Sequence, residues 1–143
     1  MDIKKLLWCD CGEKFKDLAP FVLRIVVGSI FFVHGYMKFT AGTTAIAGFL
    51  GSLGFPAPDI FAPILIAVEV LGGAALVLGI FTHWAAKFTS IVALLAILTF
   101  HLGNGFWVQN NGYEFALMLL AGTISLGITG AGRWSLDGLI MAK

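Results

Sequence analysis

The sequence predicts an all-α integral membrane protein: a bundle of four transmembrane helices, with an extra short interfacial or re-entrant helix between the first two. Three observations predict it. Of the 143 residues, 59% are hydrophobic and only 12% charged, against roughly a quarter charged in an ordinary soluble domain. The mean hydropathy of +0.94 is more than one small domain can hide from water. Four apolar runs also approach the ~20 residues that cross a bilayer core. In lipid, backbone polar groups must be satisfied internally, by helices or a closed barrel, and runs rich in Leu, Ala and Gly without alternating polarity select helices. The same composition excludes disorder. Nine Lys and Arg against eight Asp and Glu, with no basic tract, exclude a nucleic-acid binder.

Taken in order, residues 1–17 read as a cytoplasmic leader and residues 18–140 as the membrane domain. The first span runs from Pro20 to Phe39. A cleaved signal peptide is not expected, because the leader is mixed in charge and Arg24, His34 and Lys38 interrupt the apolar run. The connector Thr40–Asp59 carries Ile46, Phe49, Leu50 and Leu53 at helical spacing, opposite a face of Gly, Ala, Ser and Thr. It predicts a short helix in the outer interface, ended by Gly54-Phe55-Pro56. Spans two and three, Ile60–Phe81 and Trp84–Leu102, are separated by Thr82-His83 alone and predict a tight hairpin. An outer loop, Gly103–Gly112, is rich in Gly and Asn and carries Phe106 and Trp107. The fourth span, Tyr113–Thr129, is short enough that Gly130 and Ala131 are expected to extend it. Ser135-Leu136-Asp137 then predicts the N-cap of a short amphipathic tail helix.

Orientation follows from the positive charges. Lys4, Lys5, Lys14, Lys16, Lys87, Arg133 and Lys143 fall on one side, with Lys38 opposite and Arg24 inside the membrane. Both termini are therefore expected in the cytoplasm, with Trp8, Trp84, Trp107 and Trp134 near the interfaces. The two cysteines, in Cys9-Asp10-Cys11, are too few for a disulfide scaffold and read as reduced thiols, or as a redox or metal-handover pair that supplies half of a metal site. Gly127-Ile128-Thr129-Gly130-Ala131-Gly132 follows a membrane helix rather than a strand, so it marks a helix end and not a dinucleotide loop.

The ionisable residues within the spans are the informative ones. Each costs about 2.5–3.5 kcal/mol to insert, so it normally faces the bundle interior and has a partner. Arg24, Gly28, Phe31, Gly35 and Lys38 share one stripe of the first helix; Glu69, Gly72, Gly73, Leu76 and Gly79 share one of the second. Such glycines allow helices to approach closely. At 1.5 Å per residue, Glu69 lies roughly 13 Å and His34 roughly 8 Å below the outer ends of their helices. Lys38, His101 and Glu114 lie within one or two turns of the same face. The plainer reading is a structural network, with Glu69 neutralised by Arg24 or Lys38 and Glu114 paired to the remaining cation. The functional reading is a site for a polar head group with an apolar tail, and a quinone suits it. His34 and His101 hydrogen-bond the head group and exchange protons, Glu69 accepts a proton, and Lys38 and Arg24 balance its charge. Glu114 orients Lys38 or His101, and Phe106 and Trp107 offer rings for stacking. Two His and two Glu are an acceptable metal set, but no HxxE, HxxxH or ExxH spacing supports one, and no metal is expected.

The chain resembles the DoxX family of small four-helix bacterial membrane proteins. The resemblance rests on Leu23-Arg24 with Gly28, Gly35-Tyr36-Met37-Lys38-Phe39, Glu69-Val70-Leu71-Gly72-Gly73 with Gly79, and His101 before Gly105-Phe106. Gly112-Tyr113-Glu114 and the run from Gly130 to Asp137 complete it. It covers residues 18–139 and implies a bacterial inner-membrane location. It also implies a link to quinol oxidase and thiosulfate:quinone oxidoreductase activity, or to thiol and oxidative-stress enzymes; the Cys-Asp-Cys leader is not part of the pattern. The expected function is a redox-associated subunit that binds a quinone or similar small amphipathic molecule in a polar pocket in the outer half of the bundle; if it is catalytic, it is so as a subunit of a quinone-linked oxidoreductase, working with a protein partner or as a homo-oligomer. A non-catalytic scaffold or assembly factor, and a small oligomeric transporter, are the alternatives.

Overall fold

The computed structural model describes residues 16–141, and within them the chain is helical with no strand. Helix α1 spans Leu18–Ala41, α2 Thr43–Ser52, α3 Pro58–Leu78, α4 Thr82–Ala96, α5 Glu114–Thr129 and α6 Leu136–Met141. Three of them, counting α4 with its continuation to Asn104, are long and apolar enough to cross a membrane; α5 is a shorter apolar helix. With α2 as the short extra helix, this is the four-helix membrane bundle expected. Cys9, Cys11 and Trp8 lie outside the described residues, as do Lys4, Lys5, Lys14 and Lys143.

The molecule is apolar on the outside. Leu71, Met118 and Ile128 are each about 70% exposed or more (68%, 72% and 77%), as lipid-facing side chains are. Inside, Val27, Phe31, Leu76, Ala85, Ala86, Ala93 and Leu126 form the main core. A smaller cluster of Ala47, Leu50 and Ala62 seats α2 on α3. Helix α1 packs chiefly on α3, and α4 chiefly on α5.

The α1–α3 contact follows from glycine. A Cβ on Gly28 would stand 2.8 Å from the Gly73 carbonyl oxygen, and one on Gly35 would stand 2.7 Å from the Glu69 Cβ and the Val70 nitrogen. Most of the two stripes read from the sequence forms the contact: Arg24, Gly28, Phe31 and Gly35 on α1, and Glu69, Gly73 and Leu76 on α3, are all buried, whereas Gly72 turns to α4, where a Cβ would stand 2.9 Å from Thr89 Cγ2, and Gly79 meets Ser135 in the tail.

Three details differ from the sequence reading. The hairpin turn is not Thr82-His83 but Gly79-Ile80-Phe81, with Gly79 (φ +66°) closing α3 and Phe81 (φ +48°) preceding α4. Thr82 and His83 already belong to the first turn of α4. That helix does not run regularly to Leu102: it widens to a π-turn at Ile97–His101 and tightens to a 3-10 turn at Leu102–Asn104. Finally, α5 is not extended by Gly130 and Ala131, because Gly130 at φ +76° takes the chain out of the helix.

Candidate functional site

Two polar clusters occupy opposite ends of the bundle. At the end bearing α2, Lys38 in the last turn of α1 lies along α3 and donates to both oxygens of Glu69, at 2.8 and 2.6 Å. The Glu69 side chain is 7% exposed and the Lys38 side chain 26%, so the carboxylate is enclosed while the ammonium stays within reach. The pair sits where Gly35 brings α1 closest to Glu69, which is why the lysine spans the gap without a long detour. His34, on the exposed flank of α1, lies within electrostatic reach of Glu69. Its ring stands 6.4 Å from that of Phe115 on α5.

The remaining residues expected at this site are used otherwise. His101, last in the π-turn, bonds through Nδ1 to the Asn111 carbonyl at 2.7 Å and meets the Phe100 ring edge-on at 4.9 Å. Glu114 orients neither Lys38 nor His101; its Oε1 accepts from the Val108 N–H at 2.9 Å. The first-turn acid of α5 is drawn to this donor because the outer loop folds back on itself, with Tyr113 N–H to Gly105 O and Glu114 N–H to Phe106 O. Phe106 and Trp107 pack edge-to-face at 5.2 Å, and both remain exposed. A shallow apolar cavity of about 420 Å³ lies beside the loop, lined by Phe106, Val108, Glu114, Phe115, Leu117 and Met118.

Arg24 does not balance Glu69. It is buried at the far end, where its guanidinium donates to the carbonyls of Leu76, Val77 and Trp134 and lies 5.0 Å over the Phe21 ring. The reason is helix chemistry: α3 ends at Leu78, and its last carbonyls lack intrahelical partners and carry the negative end of the helix dipole. The start of α4 is met by the opposite charge. Asp137 Oδ1 accepts from Phe81 N–H at 2.8 Å and Oδ2 from Thr82 N–H at 2.9 Å, while its own N–H binds Gly79 O. Partial burial raises the Asp137 pKa, but these amide bonds and nearby His83 outweigh it, and the net shift is below the ordinary value.

The tail holds this position as the sequence anticipated, with Ser135 Oγ accepting from Gly138 N–H at 2.9 Å as an N-cap. What sequence reasoning missed is that Asp137 caps a different helix, 55 residues earlier. It also missed His83, which bonds through Nδ1 to Gly127 O. Among the described residues no group of three His, Cys, Asp or Glu is placed to hold a metal ion.

Comparison with known proteins decides the family. The DoxX profile matches residues 19–102. The chain belongs to the DoxX family. The DoxX-type relatives extend the match to most of the chain. It is 32% identical to CatD of Bacillus subtilis, whose name marks it as a candidate oxidoreductase, over 87% of this chain and 89% of that protein. It is 32% identical to the inner membrane protein YqjF of Escherichia coli, over 92% and 98%, and 30% identical to the membrane protein Rv3486 of Mycobacterium tuberculosis, over 80% and 77%. No solved structure matches it.

Proposed function

We propose that the protein is a redox-associated membrane subunit that takes up the head group of a quinone, or a similar small amphipathic molecule, beside the Lys38–Glu69 pair. The observation that carries this reading is the asymmetry of that pair: an enclosed carboxylate held by an ammonium that is still a quarter exposed. A quinone carbonyl needs a donor, and Lys38 has a third N–H beyond the two given to Glu69. His34, on the same flank and next to Phe115, is the group able to pass a proton between the head group and Glu69. The name borne by CatD supports a redox setting. In this reading His101 shapes the outer loop, and both termini face the cytoplasm, an orientation supported by the excess of Lys and Arg in the segments that the sequence assigns to that side.

The test is the quinone content of protein purified with its native lipids, compared with Glu69→Gln and His34→Ala. Near-stoichiometric quinone in the native protein, lost from folded variants, is the expected result. Equal quinone in all three, or none in the native protein, overturns the assignment. A second reading, a non-catalytic scaffold, draws on the placement of the pair at the closest α1–α3 approach, where it acts as a stitch. Under it, Glu69→Gln lowers thermal stability with no separable loss of ligand.

A further inference from the structure

The Lys38–Glu69 pair lies in the groove between α1 and α3, and α2 bridges the end of that groove. On one side α2 starts from the pair itself: Gly42, which joins α1 to α2, gives its N–H to the carbonyls of Lys38 and Phe39, both at 3.2 Å. On the other side Ala47 and Leu50 seat α2 on Ala62, with Leu65 packed against them. Leu65 precedes Glu69 by about one helical turn. An approach to the carboxylate along the groove from that end therefore meets α2 first.

Helix α2 is lightly held. Both of its connections run through positive φ. Gly42 (φ +90°, ψ 148°) occupies a region that glycine alone enters readily. Beyond the helix, Gly54 stands at φ +80°, and Ala57, at φ +50°, keeps a left-handed conformation that a residue with a Cβ rarely adopts. Packing demands neither glycine: a Cβ on Gly42 or Gly54 would meet no atom within 4 Å. They serve the path of the chain, as hinge residues do. Between them α2 buries Ala47 and Leu50 alone, and it turns Thr44, Gly48 and Gly51 outward. Phe49 meets the ring of Phe100 edge-on at 5.4 Å, and Phe100 lies in the π-turn, an irregularity frequent at functional sites. We propose that α2 is a hinged cover, latched by Phe49 on Phe100, whose lifting opens the Lys38–Glu69 pair to water at that end. Its purpose rests on the reading above, in which the pair takes up a head group and Glu69 exchanges a proton: the cover keeps the carboxylate enclosed between exchanges.

The rate at which a water-soluble amine-acylating reagent modifies Lys38 in the full-length protein in mild detergent tests this, read by peptide mass spectrometry. Exposed Lys87, at the far end of the bundle, is the internal control. Two perturbations of opposite sign are applied. Because a Cβ at Gly42 touches nothing, Gly42→Ala acts on the backbone alone and disfavours the closed orientation, so Lys38 acylation rises about tenfold. A short thiol cross-linker between Phe49→Cys and Phe100→Cys, in a chain with Cys9→Ser and Cys11→Ser, fixes the latch and slows acylation severalfold. The same variant without the cross-linker is its control. A rate at Lys38 that the cross-link leaves unchanged overturns the cover, and a native rate in Gly42→Ala overturns the hinge. An acceleration shared by Lys87 reports general loosening and also counts against the hinge. None of these readouts needs a quinone. Both effects in a protein that holds no quinone refute the reading of the site and leave the cover standing, whereas bound quinone with acylation indifferent to α2 refutes the cover alone.

Discussion

Removing one partner of the Lys38–Glu69 pair should not cost the same from either side. Lys38→Met strands a carboxylate that is 7% exposed, and an uncompensated buried charge costs about 3–5 kcal/mol. The lower end, ~3 kcal/mol, is expected, since the carboxyl can take up a proton instead. Glu69→Gln leaves a lysine that is 26% exposed, sits in the last turn of α1 and can turn its flexible stem toward the interface. The glutamine carbonyl still accepts one of its bonds, so about 1 kcal/mol is expected. The double variant has no stranded charge and should cost roughly 2 kcal/mol, about 2 less than the sum of the singles, as contacting residues do. Reversible unfolding in mixed micelles with rising fractions of dodecyl sulfate, followed by circular dichroism, measures all three. Equal costs for the two singles, or additivity within about 0.5 kcal/mol, would refute the view that the carboxylate is the enclosed member.

Three further expectations concern the frame. Gly73→Ala drives a methyl into the backbone of α1 at Phe32 and the Gly28 carbonyl; overpacking of about 1–3 kcal/mol should appear as a lowered midpoint in the same titration. Arg24→Lys cannot serve the carbonyls of both Val77 and Trp134, since an ammonium lacks the planar fork, and limited proteolysis of the segment 130–141 should accelerate severalfold. The Asp137 pKa is depressed in the folded state, so its contribution is complete above the ordinary value of about 3.9. It fades as the pH falls through the lower folded value. Asp137→Asn should therefore cost on the order of 1 kcal/mol near neutrality, as lost caps do, and flatten the acid limb of a stability–pH curve.

The helices were legible because apolar length is a local property: each span appears within a few residues of its place. The facing stripes were legible too, since Gly28, Gly35, Glu69 and Gly73 recur at helical spacing with few competing arrangements. Lys38 was one of two cations offered to Glu69, and sequence spacing did not choose between them. The choice is made by Gly79, which stops α3 early and exposes carbonyls that Arg24 then serves. Asp137 was invisible for the same reason. Its partners are main-chain amides at Phe81 and Thr82, which carry no side-chain signature and become available only where a helix starts. The π-turn at Ile97–His101 left no trace in a run of Ile, Leu, Thr and Phe, so its effect on the direction of His101 could not be read.

The tie between the α3–α4 turn and the tail has a consequence for biosynthesis. Trp134 and Asp137 lie downstream of all four apolar helices, so α1, α3, α4 and α5 are synthesised before either can act. Until then the end of α3 has its carbonyls, and the start of α4 its amides, without these partners. The nascent bundle is thus most open at the end where its last segment emerges. Arrival of residues 134–137 closes that end from both sides at once, the Trp134 carbonyl on Arg24 and the Asp137 carboxylate on the first turn of α4. A chain interrupted just before this point would carry every span and still present an unfinished face to the proteases that patrol the membrane surface.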